Sequence, residues 1–279
     1  MEALMRFATC YTIVLLLFLT LGAAAQTTSH TNVIDTQSMP WEKGPALRLS
    51  DDWRLKVLDR DAGRRVALAY LPPERVSKER RHTHRFRQWF YFLQGDTPVF
   101  DYQSPDQKKA RLTILRQGYF LDRPPGSVHG EEGNPRSQAG FLFLMYLGTS
   151  APVINIPDEG PVSPGIEWKD DHIVDTRAVD WNKNPDGSLT KDLAFDVKLV
   201  LLPPGWRGSE TPKYLRSAFV ISGSGSLQAS GSSFTLRDGS FIQQSAGEQA
   251  QTEAGEVGCM LLEWYNESAS ATGSAADPN

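Results

Sequence analysis

His82-Thr83-His84-Arg85-Phe86-Arg87-Gln88-Trp89-Phe90-Tyr91-Phe92-Leu93-Gln94-Gly95 is the run on which the reading of this chain turns. It grows aromatic and apolar towards its end and closes on Gly, as a buried strand does. Side chains of an extended strand alternate between faces, so His82, His84, Phe86, Gln88, Phe90 and Phe92 share one side. That side is apolar with three polar groups set into it, the lining a small-molecule or metal cavity requires. Trp89, Tyr91 and Leu93 take the opposite side, where a neighbouring body would cover them. Arg81, Arg85 and Arg87 share that outer parity. With Arg75, Lys78 and Arg80 they read as a solvated or partner-facing charge stripe.

Outward from this run, the chain repeats itself. Val33-Ile34-Asp35-Thr36, followed by Trp41, Lys43 and Pro45, recurs without a gap as Ile173-Val174-Asp175-Thr176, followed by Trp181, Lys183 and Pro185. Val66-Ala67-Leu68-Ala69-Tyr70-Leu71-Pro72-Pro73 recurs as Val197-Lys198-Leu199-Val200-Leu201-Leu202-Pro203-Pro204. Two blocks in the same order mark a duplicated unit. Within each copy, short strand-like runs alternate with turn signals such as Pro124-Pro125-Gly126 and Asp238-Gly239. The pattern predicts an all-β protein of two tandem barrels, over 31–150 and 166–266. The Pro- and Gly-containing segment 151–165 reads as their linker, and 267–279 as a disordered tail.

Composition narrows the partners. With 33 acidic and 29 basic residues and a net charge of −4, the chain offers little to a nucleic-acid backbone. At the N-terminus, Arg6 precedes an uncharged run from Phe7 to Ala25 that ends in Gly22-Ala23-Ala24-Ala25. This reads as a signal peptide over 1–25, and hence as an exported protein, periplasmic or secreted, with no membrane span after cleavage. Cys259 is then the only cysteine left, so no intramolecular disulfide staples the fold, and its apolar surroundings suit a core role. Asn266-Glu267-Ser268 is a glycosylation sequon in a eukaryotic host.

A second cluster complements the opening run. Gly118, five residues, Pro124-Pro125-Gly126, two residues and His129 follow one another in order. Together with His82-Thr83-His84, three residues, Gln88, six residues and Gly95, this resembles the two motifs of the cupin superfamily. The first motif lacks its opening Gly, and Gln88 stands where a Glu is usual. The resemblance implies two cupin jelly-roll barrels in tandem, with His82, His84 and His129 holding one divalent transition metal ion (Fe, Zn, Mn, Ni or Cu). Gln88 would be a further ligand or a donor beside it. A neutral amide can offer a carbonyl oxygen but no negative charge, leaving the ion a stronger Lewis acid. Phe86, Phe90, Phe92 and Arg123 are candidates to line the cavity. A faint likeness to ChrR-like cupins covers a few positions from Trp41 to Asp61. His30 and His172 fall outside the motifs and read as surface residues.

The second copy lacks the histidines. Glu210, Pro212, Arg216 and Gly223 stand for His82, His84, Gln88 and Gly95, and Ala250 stands for His129. One carboxylate cannot hold an ion, so this barrel is expected to be metal-free. An exchange in which each barrel completes the core of the other would explain its retention. The expected function is a metal-dependent enzyme of dioxygenase type acting on a small organic molecule. A metal- or ligand-binding or sensing module is the alternative, and a barrel binding an organic ligand without metal a third. Homodimerisation is left open.

Overall fold

The computed structural model describes residues 30–44, 53–61, 64–73, 81–102, 109–130, 139–148, 154–155, 167, 169–194 and 196–266. The expected signal peptide, the tail, most of the 151–165 segment, and Arg75, Lys78 and Arg80 lie outside the described residues.

The described residues hold twenty strands and no α-helix. The first repeat contributes β1 (Asn32–Asp35), β2 (Glu42–Lys43), β3 (Arg54–Asp61), β4 (Arg64–Leu71), β5 (His82–Thr83), β6 (Gln88–Tyr102), β7 (Arg111–Arg116), β8 (Tyr119–Arg123), β9 (Val128–His129), β10 (Phe141–Leu147) and β11 (Ile154–Asn155). From the second come β12 (His172–Asp175), β13 (Asn182–Lys183), β14 (Leu189–Ala194), β15 (Val197–Leu202), β16 (Arg207–Glu210), β17 (Leu215–Ala229), β18 (Ser232–Arg237), β19 (Ser240–Gln244) and β20 (Ala250–Asn266). They form an eleven-stranded and a nine-stranded sheet, each wrapped around its own core.

The sheets do not follow the repeat boundaries. β1 pairs with β19 of the second barrel, Ile34 opposite Phe241, while β12 pairs with β8 of the first, Val174 opposite Phe120. Each leading strand therefore closes the other barrel. Val33 packs against the second core and Ile173 against the first. Both arms turn at the same device. The Asp35 carboxylate accepts from Gln37 N and that of Asp175 from Arg177 N, both at 3.1 Å. Beyond the turn, Thr36 N donates to Gly239 O and Thr176 N to Gly118 O. The Nζ of Lys56 and of Lys191 then grips the carbonyl of its own arm, Thr36 at 2.8 Å and Thr176 at 2.7 Å. A lysine of each barrel thus holds the arm docked on the other. Within the expected linker, β11 is a further strand, pairing with β5.

Burial on both faces explains why several strands read as continuous apolar runs. On β4, Ala67, Ala69 and Leu71 enter the first core, while Val66 and Leu68 face the second barrel. Trp89, Tyr91, Phe120 and Leu144 join them there against Phe219, Phe241, Leu262 and Trp264. Trp89 meets Trp264 edge-on at 5.0 Å between ring centroids, a favoured aromatic geometry. Arg87 adds a polar tie, pairing with Asp122 at 2.7 Å and with Asp196 of the second repeat.

The long strands are crossed by matched glycines. Gly95 and Gly223 have φ of +77° and +97°, and a Cβ at either would lie 2.2 Å from the carbonyl of Gly140 or Gly258. No other residue fits. Cys259 is buried, and burial pushes its thiol up to about 12, leaving it a small apolar filler.

The shared core makes the barrels interdependent. Trp264→Ala should cost about 3–5 kcal/mol, read from the midpoint of a denaturant titration. One cooperative transition, shifted as a whole, is the expected form; loss of one barrel's signal alone would contradict the shared core.

Candidate metal centre

Strand pairing builds the centre. β5 and β9 are two-residue strands paired antiparallel, with His82 directly opposite His129 and Thr83 opposite Val128. Directly opposed residues share a face and bring their Cβ atoms to about 4.5–5.5 Å. His84 follows β5, and its carbonyl accepts from Gly126 N at 2.9 Å. The Pro124-Pro125-Gly126 turn is thereby locked to the first motif and sets where β9 begins.

The three rings converge. Centroid separations are 4.9 Å for His82–His84, 4.2 Å for His82–His129 and 5.2 Å for His84–His129. One ring nitrogen from each lies within 4.8 Å of the others. The residues are only 7%, 6% and 3% exposed. Gln88 is buried beside them, its Nε2 3.2 Å from Nε2 of His84. Phe86 packs on the His84 ring at 4.7 Å, Phe92 lies in the core behind, and Phe90 packs against that core.

Burial sets the charge of the imidazoles. It is the largest influence lowering His84, to about 3, with the positive fields of His82 and Arg123 adding to it. His129 falls well below its ordinary value for the same reason, aided by Arg123, His82 and His84. Both rings are thus neutral at physiological pH, the form in which imidazole is a ligand. Nδ1 of His84 and Nδ1 of His129 are buried without a hydrogen-bond partner. Buried polar atoms rarely go unsatisfied, and a converging set of neutral nitrogens suits a divalent transition metal ion. The donor set fits the ion that the motifs imply.

The solvated or partner-facing reading holds for part of the charge stripe only. Arg85 is exposed and Arg87 ties the two barrels, but Arg81 is 6% exposed with its guanidinium 4.5 Å over the Tyr102 ring. The expectation of a solvated Arg81 fails because it stands at a bend just before β5, where the Tyr102 ring covers its guanidinium. His30 and His172 are exposed and stand apart from the triad.

In the second barrel the same framework encloses different chemistry. Glu210 faces Ala250 as His82 faces His129, and Gly247 N donates to Pro212 O at 2.8 Å as Gly126 does to His84. Where Gln88 stands in the first barrel, Arg216 is buried here, bonding Glu263 at 2.6 Å and 2.9 Å, Glu210 at 3.0 Å and Gln244 at 3.3 Å. Lys198 approaches Glu263 at 3.0 Å, and the Tyr265 hydroxyl lies 2.6 Å from both Glu210 and Glu263. Burial opposes ionisation of Glu263, but the charges of Arg216 and Lys198 outweigh it and hold the carboxyl below its ordinary 4.5. Among the described residues, no metal-competent cluster other than the first-barrel triad occurs. The repeat alignment supplied Glu210 and Arg216; Glu263 and Tyr265 sit in a run that reads as apolar strand.

No protein-family model and no curated protein sequence matches the chain. Solved structures do. An Escherichia coli protein, Ylba, is similar at 14% identity and a TM-score of 0.60, over 85% of this chain and 91% of that one. A Nostoc punctiforme protein provisionally named a dioxygenase is similar at 12% identity and a TM-score of 0.65, over 90% and 88%. A Bacillus subtilis oxalate decarboxylase variant is similar at 13% identity and a TM-score of 0.57, over 86% and 78%. These are cupin-fold proteins, and at such identities the likeness shows the fold: this chain is built as two cupin jelly-roll barrels.

The Arg216 network yields a stability test. Arg216→Ala leaves buried Glu263 with Lys198 alone as counter-charge and should cost up to about 3–5 kcal/mol. Because Glu263 is depressed in the folded state, its stabilisation is full above its ordinary value of 4.5 and is lost as pH falls below it. Denaturant midpoints of the parent should drop over that acidic window, and those of Glu263→Gln should drop less. Equal slopes would show that the pair contributes nothing to acid sensitivity.

Proposed function

We propose that this protein is an exported, metal-dependent enzyme acting on a small organic molecule, with the first barrel as its reactive centre. His82, His84 and His129 hold one divalent transition metal ion, and Gln88 serves as a fourth ligand or as a hydrogen-bond donor beside it. The observation that carries this reading is the convergence of three buried imidazoles, two of them on one short segment and the third on a strand far along the chain. Three protein ligands leave coordination positions for water, oxygen or a chelating substrate. The ion would supply Lewis-acid or oxygen chemistry. The chain's own part is to hold His84 and His129 neutral, exclude water behind Phe86, Phe90 and Phe92, and place the Gln88 amide against His84.

The neighbours bear on the reaction class. One is a Bacillus subtilis oxalate decarboxylase, described in another of its solved structures as having Mn(II) centres, and another is provisionally named a dioxygenase. Oxygen-dependent chemistry of the dioxygenase kind is the first reaction to test, and manganese the first ion. Export rests on the 1–25 segment, and the mature protein would then be periplasmic or secreted. Gln88 in place of a carboxylate favours a second reading, a metal-holding binding or sensing module without turnover.

Elemental analysis of the purified mature protein should find about one transition-metal ion per chain. The double variant His82→Ala, His84→Ala should lose it by more than about tenfold. A parent protein that stays metal-free after incubation with Mn, Fe, Zn, Ni and Cu salts sinks the metal reading. Oxygen uptake with catechols, flavonols, thiols and keto acids then separates enzyme from module: silence of the metal-replete protein across the panel favours the module.

A further inference from the structure

Three side chains lead to His84 of the triad: Asp171 just before β12, Arg123 on β8 and Gln88 on β6. Arg123 on β8 is the register partner of Gln88 on β6, and opposed residues of an antiparallel pair share a face. Arg123 therefore stands on the cavity face, with its guanidinium 5.7 Å from the Phe90 ring. Asp171 precedes β12, the strand that the second repeat lends to the first barrel, and accepts from Arg123 Nε at 2.9 Å. The Asp171 side chain is 1% exposed, and its Oδ1 has no hydrogen-bond partner. Only Nε of Arg123 is engaged, and no bond reaches Nη1 or Nη2 among the described residues. A buried carboxylate thus fixes one edge of a guanidinium and leaves its planar two-nitrogen end available. That end matches a carboxylate in a bidentate pair.

We propose that Arg123 is the substrate-recognition residue of this centre, that the substrate is an organic acid whose carboxylate it receives, and that Asp171, supplied by the exchanged strand, is its positioning residue. This rests on the first-barrel reading above and adds the substrate class. Phe86 and Phe90 beside it suit a carbon skeleton over a bare inorganic anion.

Calorimetric titration tests the assignment, on metal-loaded and metal-free protein alike. Benzoate and oxalate are the probes, with benzamide and oxamide as neutral counterparts and inorganic phosphate as the carbon-free anion. At least one acid should bind saturably and more tightly than its amide and than phosphate. Arg123→Gln should weaken that binding about tenfold or more while metal content stays the same. Asp171→Asn, which keeps an acceptor for Nε, should retain the acid, and Asp171→Ala should bind it several-fold more weakly than Asp171→Asn. Acids held equally by Arg123→Gln, or bound no better than amides or phosphate, overturn the recognition role. Equal affinities in the two Asp171 variants overturn the positioning role. Acid binding that needs Arg123 in a protein that never takes up metal leaves this assignment standing and removes the metal reading; metal uptake without acid binding does the reverse.

Discussion

Backbone groups along the edge of a sheet must find hydrogen-bond partners or stay open to other chains. In this protein, β19 of the second barrel pairs with β1 of the first repeat, and β8 of the first barrel pairs with β12 of the second. The rest of the architecture hangs on that reciprocal pairing. It presses the outer faces of β4, β6, β15 and β20 together, so that tryptophans and phenylalanines which would be exposed on a lone barrel become a common interior. It also lays β12 along the strand that carries Arg123, bringing Asp171 within reach of the centre.

The two barrels answer one problem in two ways. Each has a polar pocket at the same place in the same framework, bounded by a Pro–Gly or Ala–Gly turn bonded to the strand before it. In the first, three imidazoles gather, with those of His84 and His129 held neutral by burial. In the second, a guanidinium fills the place of Gln88 and two carboxylates, a phenol and an ammonium group close around it. A permanent side-chain cation with its own anions leaves nothing for an added ion to satisfy. The duplication thus kept the fold and divided the chemistry, with one pocket open to an ion and one saturated by the chain itself.

Much of this could be read from the residues alone. The triad and Gln88 followed from motif spacing, and the facing of Phe90 and Phe92 from alternation along β6. The repeat alignment placed Glu210 and Arg216 at their true counterparts. Arg81 was misjudged because alternation names a face and not what covers it, and Tyr102 lies over its guanidinium. Asp171 and Glu263 were not legible for a different reason. Their partners, Arg123 and Arg216, lie 48 and 47 positions away, and only the order of strands in the sheet brings them together. That an exchange of barrels would exist could be expected from the duplication; which strand crosses could not.

The two crossings are unequal in chain order. β12 emerges from the ribosome shortly after the barrel it closes, so the first barrel can complete itself while the second repeat is still being made. β1 emerges ahead of everything it binds. Asp35 must wait for Arg237, 202 positions later, before its arm finds a dock. Pairing over so long a separation is entropically costly and slow. The leading arm is therefore the last piece to settle, and until it does the nascent second barrel presents an unpaired β19 edge on which a neighbouring chain's arm could land instead.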